Sequence, residues 1–243
     1  MKNSILFIGA THGDEPIGVD VLNELRQERS DFDWIIGNEK AFPINTRTYT
    51  ADLNRSAPGN LNSPIYEQRR SAELIALSNT YTYTIDLHGT DNDMDTFIII
   101  CNPKQENLEL AALIDIPRIV IWPAISEELK NPSSEFFACG LEIECGNQSA
   151  PATATQLTST LATFLDTYKN ASKQEIDERL QQREIYQVYD VLRSPSSIDP
   201  SSLTEFARVD DADDEPWYPL FIDAYNDIIC YKMERVSVED ILS

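Results

Sequence analysis

Histidine is nearly absent from this chain: 243 residues contain two, His12 and His88. Basic residues are scarce too, 19 against 41 acidic ones, for a formal net charge of -22. A polyanion would be repelled by such a surface, so nucleic acid is not an expected partner. No apolar run approaches the roughly 18 residues that a membrane span needs, and a membrane partner is not expected either. There are no internal repeats and no low-complexity tracts. The first residues carry one lysine and a short apolar run without a small-residue cleavage site, so a signal peptide is not expected. The four cysteines, Cys101, Cys139, Cys145 and Cys230, form no CxxC pair. Three of them sit in apolar, strand-like surroundings, where a reduced thiol behaves as a small hydrophobe. A chain of this length buries enough core to fold without disulfides, so the expected compartment is reducing, the cytoplasm. Oligomeric state is not legible here, and a homo-oligomer is compatible with the sequence.

What is present is an alternation of apolar strand-like runs and helical periodicity. Ile5-Leu6-Phe7-Ile8, bounded by Gly9, reads as a buried strand of a parallel sheet. Pro16 suits a first helical turn, and Ile17, Val21, Leu22 and Leu25 recur at helical spacing. Further strands are expected at 34–36, 83–87, 97–101, 118–122 and 139–145, with helices near 64–79, 106–113 and 153–168. Strands alternating with helices predict an α/β sheet covered on both faces. Residues 39–64 lack periodicity, and loops of that length in a compact domain tend to be functional. Lys169 to Arg183 is highly polar and reads as a helix end plus linker. Beyond Glu184 the runs are short and β-rich, interrupted by an acidic turn at 210–215. The expected organisation is an α/β domain over 1–170 and a small β domain over 184–243.

Both histidines end strand-like runs: Ile8-Gly9-Ala10-Thr11-His12-Gly13-Asp14-Glu15 and Ile85-Asp86-Leu87-His88. One such histidine is commonly a loop cap or a core residue. Two, with Glu15 three places after the first, supply the two nitrogens and one carboxylate of a catalytic zinc, with a coordination place left for water. A structural zinc would want a fourth protein ligand, and none is evident. Asp86 shares a strand face with His88 and is a candidate to orient a metal-bound imidazole. Arg47 and Arg55 are two cations in one loop of an acidic protein, suited to a carboxylate or an oxyanion. Glu142 and Glu144 alternate on a strand that otherwise reads as buried, where a carboxylate is costly unless paired or employed. Either could be a general base, and an edge strand with one solvated face is the competing reading. Asp91-Asn92-Asp93-Met94-Asp95 lacks the glycine and terminal glutamate of a calcium loop and reads as a solvated turn.

Taken in order, Thr11-His12-Gly13-Asp14-Glu15, Arg47, Asp52-Leu53-Asn54-Arg55, Asp86-Leu87-His88 and Glu144-Cys145-Gly146 resemble the succinylglutamate desuccinylase/aspartoacylase family, a branch of the zinc carboxypeptidase fold. The motifs span most of the first 150 residues. The resemblance implies a zinc-carboxypeptidase-like mixed sheet covered by helices, and one zinc held by His12, Glu15 and His88. It also implies Glu144 as general base, Arg47 polarising the scissile carbonyl, and Asn54 and Arg55 gripping a substrate carboxylate. Tyr225, after Tyr218-Pro219-Leu220-Phe221-Ile222, is similar to the family tyrosine that reaches toward the substrate from a small β domain capping the active site. One departure stands out: aspartoacylases carry an arginine about ten residues before the catalytic glutamate. That place is near Ser134 here, and Lys130 is the nearest stand-in. The departure concerns the substrate's second carboxylate and leaves the zinc chemistry intact.

The expected activity is zinc-dependent deacylation of a small, carboxylate-bearing N-acyl amino acid. The same residues would serve a metallocarboxypeptidase trimming a peptide C-terminus. A catalytically idle metal-binding protein is the reading from a different class.

Overall fold

In the computed structural model, which describes residues 4–124, 130, 132–210 and 215–242, the first apolar run becomes β1 (Ile5–Gly9), buried at all five positions. Helix α1 (Ile17–Glu28) buries Ile17, Val21, Leu22 and Leu25, the single apolar stripe of an amphipathic helix. There follow β2 (Asp33–Ile36), α2 (Tyr66–Ser78), β3 (Tyr83–Thr90), β4 (Phe97–Ile100), α3 (Gln105–Leu113), β5 (Arg118–Ile121), β6 (Gly140–Asn147) and α4 (Pro151–Thr167). The chain continues through α5 (Lys173–Gln181), β7 (Glu184–Arg193), β8 (Tyr218–Leu220), β9 (Ile228–Arg235) and α6 (Val238–Leu242).

The strands form one nine-stranded sheet in the order β2-β1-β3-β6-β4-β5-β7-β9-β8. β2, β1, β3 and β6 are mutually parallel. β4 reverses direction against β6, and β5 and β7 run parallel to β4. β9 and β8 complete the sheet in antiparallel fashion. This is the mixed α/β architecture expected of a zinc-carboxypeptidase-like chain. Its main apolar cluster joins β1, β3 and β6 to α1, α3 and α4. No helix among the described residues is long and apolar enough to cross a membrane.

The segment 184–243, expected as a small β domain, supplies β7, β8 and β9. β7 pairs with β5, so these strands continue the main sheet, while Trp217, Ile229 and Cys230 gather a separate apolar cluster. A division between 170 and 184 is a proposal resting on that cluster. Residues 211–214 of the acidic turn lie outside the described residues.

One stretch differs from expectation. Most of the polar segment read as a linker is helix α5, packed on α3. Its start is a capping box: Ser172 accepts from Glu175 N, and the Glu175 carboxylate accepts from Ser172 N. That reciprocal pair satisfies two orphan donors of the first turn. Leu180 is the one residue the helix buries, too few apolar positions to create visible periodicity, although the Ser-x-x-Glu spacing was present.

Candidate active site

Because β1, β3 and β6 run parallel, their C-terminal ends open on one edge of the sheet, the usual place for an α/β site. The register sets Gly9 beside Leu87 and His88 beside Glu144. Three motifs far apart in the chain thereby meet. Ala10 turns the chain out of β1 with φ of 54°, a left-handed conformation that is costly for a residue with a Cβ. Gly13 is required for a different reason: a Cβ there would lie 2.3 Å from Ala41 C and 2.5 Å from both Phe42 N and Thr46 O. The Gly13 amide donates to the Arg47 carbonyl at 3.2 Å, so the loop bearing Arg47 is laid directly on the loop bearing His12 and Glu15.

Glu15 stands between the two imidazoles. His12 Nδ1 lies 2.8 Å from Glu15 Oε1, and His88 Nδ1 lies 3.1 Å from Glu15 Oε2. The donor atoms of His12, Glu15 and His88 fall within 4.8 Å of one another, and all three side chains are buried. Each ring turns its other nitrogen to a carboxylate. His12 Nε2 is hydrogen-bonded to Asp52 Oδ1 at 3.2 Å, while His88 Nε2 is 3.3 Å from Asp86 Oδ2, a charge contact without hydrogen-bond geometry. Thr11 Oγ1 donates to both Asp86 oxygens, at 2.9 and 2.8 Å, and so holds that carboxylate in place. Two inward Nδ1 atoms backed by carboxylates, with one carboxylate between them, fit zinc in donor type and number. Asp86, His88 and Glu142 also approach within metal-sharing distance. Thr11 and Ser134 already donate to those carboxylates, which makes that group a support for His88.

The charges are strongly interdependent. Burial opposes ionisation of Glu15, yet His12 and His88 hold its carboxyl well below the ordinary value. Burial likewise disfavours charge on the rings, but Glu15 and Asp52 raise the pKa of His12. Asp86 and Glu15 raise that of His88 further. Burial, followed by the negative field of Glu15, pushes the Glu144 carboxyl up to about 8.

Glu142 and Glu144 do not lie on an edge strand. β6 is flanked by β3 and β4, and the two glutamates are 4% and 7% exposed, so the solvated-face reading is corrected. Both side chains line a cavity of about 320 Å³ together with His12, His88, Arg47 and Arg55. Glu144 Oε1 is buried without a hydrogen-bond partner. Glu142 is occupied: Ser134 Oγ donates to its Oε1 at 2.7 Å, and Asn54 Nδ2 lies 3.5 Å from its Oε2. Arg47 Nη1 donates to Glu15 Oε1 at 3.0 Å. The Asn54 side-chain Oδ1 accepts from Ser133 N at 3.1 Å, so this side-chain amide is already engaged at both ends. Arg55 Nη1 donates to the Asn54 backbone carbonyl at 2.7 Å. Tyr225 is on the cavity wall, with its hydroxyl pushed up to about 12 by desolvation against the opposing charge of Arg47. Ser134 stands behind Glu142, and Lys130 is not among the residues lining the cavity.

Several residues in or beside the cavity had no assigned role in the sequence reading. Asp52 was visible only as part of the Asp52-Leu53-Asn54-Arg55 motif, with nothing to link it to His12. Trp122 and Phe221 form an aromatic wall, their rings 6.0 Å apart. Asp14 and Gln148 also line the cavity, and Asp14 Oδ1 and Gln148 Oε1 are buried without partners.

Comparison with known proteins agrees with this geometry. Residues 2–170 match the family model described as the succinylglutamate desuccinylase/aspartoacylase catalytic domain. A probable aspartoacylase of Prochlorococcus marinus subsp. pastoris (strain CCMP1986 / NIES-2087 / MED4) is 29% identical over 156 residues, covering 59% of this chain and 53% of that protein. One of Nostoc sp. (strain PCC 7120 / SAG 25.82 / UTEX 2576) is 28% identical over 203 residues, 73% and 69% of the two chains. The chain thus spans about half the length of the first of these relatives. Among solved structures, murine aminoacylase 3 superposes with a TM-score of 0.70 at 20% identity, over 97% of this chain and 96% of that one. The succinylglutamate desuccinylase from Chromobacterium violaceum gives 0.74 at 18%, over 97% and 85%. These superpositions establish the shared fold.

Proposed function

The chain belongs to the succinylglutamate desuccinylase/aspartoacylase family, and on that premise we propose that it is a zinc-dependent amidohydrolase that deacylates a small N-acyl amino acid. One observation carries the reading: Glu15 bridges two inward-facing histidine nitrogens, beside a buried glutamate with a free oxygen. His12, Glu15 and His88 would hold one zinc, which when bound acidifies water toward a pKa of about 7 and polarises a carbonyl.

The rest of the chemistry belongs to the chain. Glu144 takes the proton of the attacking water through its free oxygen and returns it to the departing amine. Its burial, which resists a standing negative charge, suits a group that must hold a proton between the two steps. Arg47 lines the same cavity and donates to the carbonyl oxygen as negative charge develops there. Arg55, with Asn54 beside it and the Tyr225 hydroxyl, receives the substrate carboxylate. Asp52 and Asp86 keep the two imidazoles in orientation. Phe221 and Tyr225 lie on the cavity wall, where aromatic bulk favours a small acyl amino acid over a peptide chain. The four unpaired thiols suit work in the cytoplasm.

Metal analysis of the purified protein tests the centre, and a panel of N-acyl amino acids tests the activity. One zinc per chain and amide hydrolysis are expected, with both lost in His12→Ala and His88→Ala. Stoichiometric zinc retained at undiminished affinity in both variants would remove the assignment.

A further inference from the structure

The wall of the cavity is divided in an unexpected way. Arg47 and Arg55 supply its positive charge, while Asp14, Asp91, Glu142 and Asp223 line it in addition to the glutamates assigned to metal and base. Glu142 is the most deeply placed of these four, at 4% exposure. Its protein partners are neutral donors, the Ser134 hydroxyl at 2.7 Å and the Asn54 amide at 3.5 Å, with His88 Nε2 at 3.9 Å. Among the described residues no lysine or arginine forms an ion pair with it. Its two hydrogen bonds come from neutral groups, and its one cationic neighbour, His88, stands beyond hydrogen-bond distance, so the buried carboxylate is incompletely compensated. The Glu142 carboxylate is therefore a standing acceptor on the wall of a substrate cavity.

The surroundings say what shape of donor fits. In the β4–β6 register Glu142 is opposite Ile99, and Ile99, Trp122 and Phe221 line the cavity as well. An alkyl chain can run along that apolar wall while a terminal cation reaches the carboxylate, the division that long basic side chains make at protein surfaces. Asp14 Oδ1 and Gln148 Oε1, buried without partners on the same cavity, are further acceptors awaiting a donor. The net charge of -22 draws cationic solutes toward the protein and repels anionic ones.

We infer that the substrate is an N-acyl amino acid whose side chain ends in an ammonium or similar cation, with Glu142 as the residue that selects it. Arg55 and Arg47 then serve the α-carboxylate and the reacting carbonyl, and Glu142 serves the far end. This specificity rests on the deacylase reading above, because it takes the cavity as the place where the acyl amino acid sits.

The test is equilibrium binding to the zinc-loaded Glu144→Gln protein, in which turnover is suppressed. Three ligands are compared: Nα-acetyl-L-ornithine, N-acetyl-L-norvaline, which has the same carbon chain without the amine, and N-acetyl-L-aspartate. The ornithine derivative is expected to bind at least about tenfold more tightly than the norvaline derivative, the scale of one charge-assisted hydrogen bond. The aspartate derivative is expected to bind weakest. Adding Glu142→Gln should collapse the ornithine-to-norvaline ratio to within about twofold. Equal binding of these two ligands in the parent overturns the inference, as does preference for the aspartate derivative, a ratio that survives Glu142→Gln, or no binding at all. Should the double variant fail to fold, the ligand order in the parent decides alone. Hydrolysis by the native enzyme judges the deacylase reading separately. Turnover with the reverse preference sinks only the cation specificity, whereas the expected binding order without turnover sinks only the deacylation.

Discussion

His12 Nε2 lies 3.2 Å from Asp52 Oδ1, a contact across forty residues of sequence. It leaves His12 Nδ1 facing Glu15 and ties the long loop to the turn that carries His12 and Glu15. Burial opposes the Asp52 charge, but His12 lowers its pKa below the ordinary carboxylate range, as expected of a carboxylate that stays ionised beside the ring. Asp52→Asn keeps the shape and removes the charge. Zinc affinity, measured by competition with a chelator, should fall by about 10- to 100-fold while the fold is retained. Unaltered affinity would mean that Asp52 serves only the loop.

Glu144 and Glu142 share a face of β6 but have different surroundings, and their amide variants should separate. Glu144→Gln should bind zinc and lose hydrolytic rate by roughly 10²- to 10⁴-fold. Glu142→Gln should be the more active of the two on a neutral substrate, because its carboxylate oxygens already accept from Ser134 and Asn54. The reverse order would move the base two residues along the strand.

Gly13 is where two loops touch. A methyl group there meets backbone atoms at 2.3 to 2.5 Å, and backbone has no rotamer with which to yield. Gly13→Ala should destabilise the protein by about 1–3 kcal/mol, read as a lowered thermal midpoint. It should also reduce kcat, since the carbonyl of Arg47 is bound to this residue's amide. A variant with native stability and rate would show that the 41–47 loop relaxes freely.

Glu205 carries no chemistry but holds a chemical loop. Its carboxylate accepts from Phe221 N at 3.0 Å and from Ile222 N at 2.8 Å. The loop it fastens contains three non-glycine residues with positive φ, Phe221, Asp223 and Asp227, a conformation that persists only when its surroundings impose it. Glu205→Ala leaves both amides without their acceptor, at a cost of about 1–3 kcal/mol for each that stays buried. A lower thermal midpoint is expected, with KM raised more than kcat is reduced, because Phe221 and Tyr225 shape the cavity. A selective loss of kcat would instead give this loop a part in the chemical step.

Elements under local control could be read directly from the order of residues. Four consecutive apolar residues before Gly9 could hardly be anything but a buried strand, and the helical spacing of Ile17, Val21, Leu22 and Leu25 left one face for the core. Composition also narrowed which residues could bind metal, since a chain with two histidines offers few choices. The capping box of α5 was equally local, but its polar helix buries only Leu180 and so had no periodicity to announce it. Tertiary structure alone decided everything that depends on strand order. Placing β6 between β3 and β4 buried Glu142 and Glu144 and set His88 beside Glu144. Alternation along one strand cannot reveal that, because an edge strand and a central strand can share the same pattern. The pairing of His12 with Asp52, and of Ser134 with Glu142, likewise exists only once the long loop and the sheet are folded together. A contact between side chains is set by the path of the backbone between them, and spacing in sequence carries that information only within a single helix or strand.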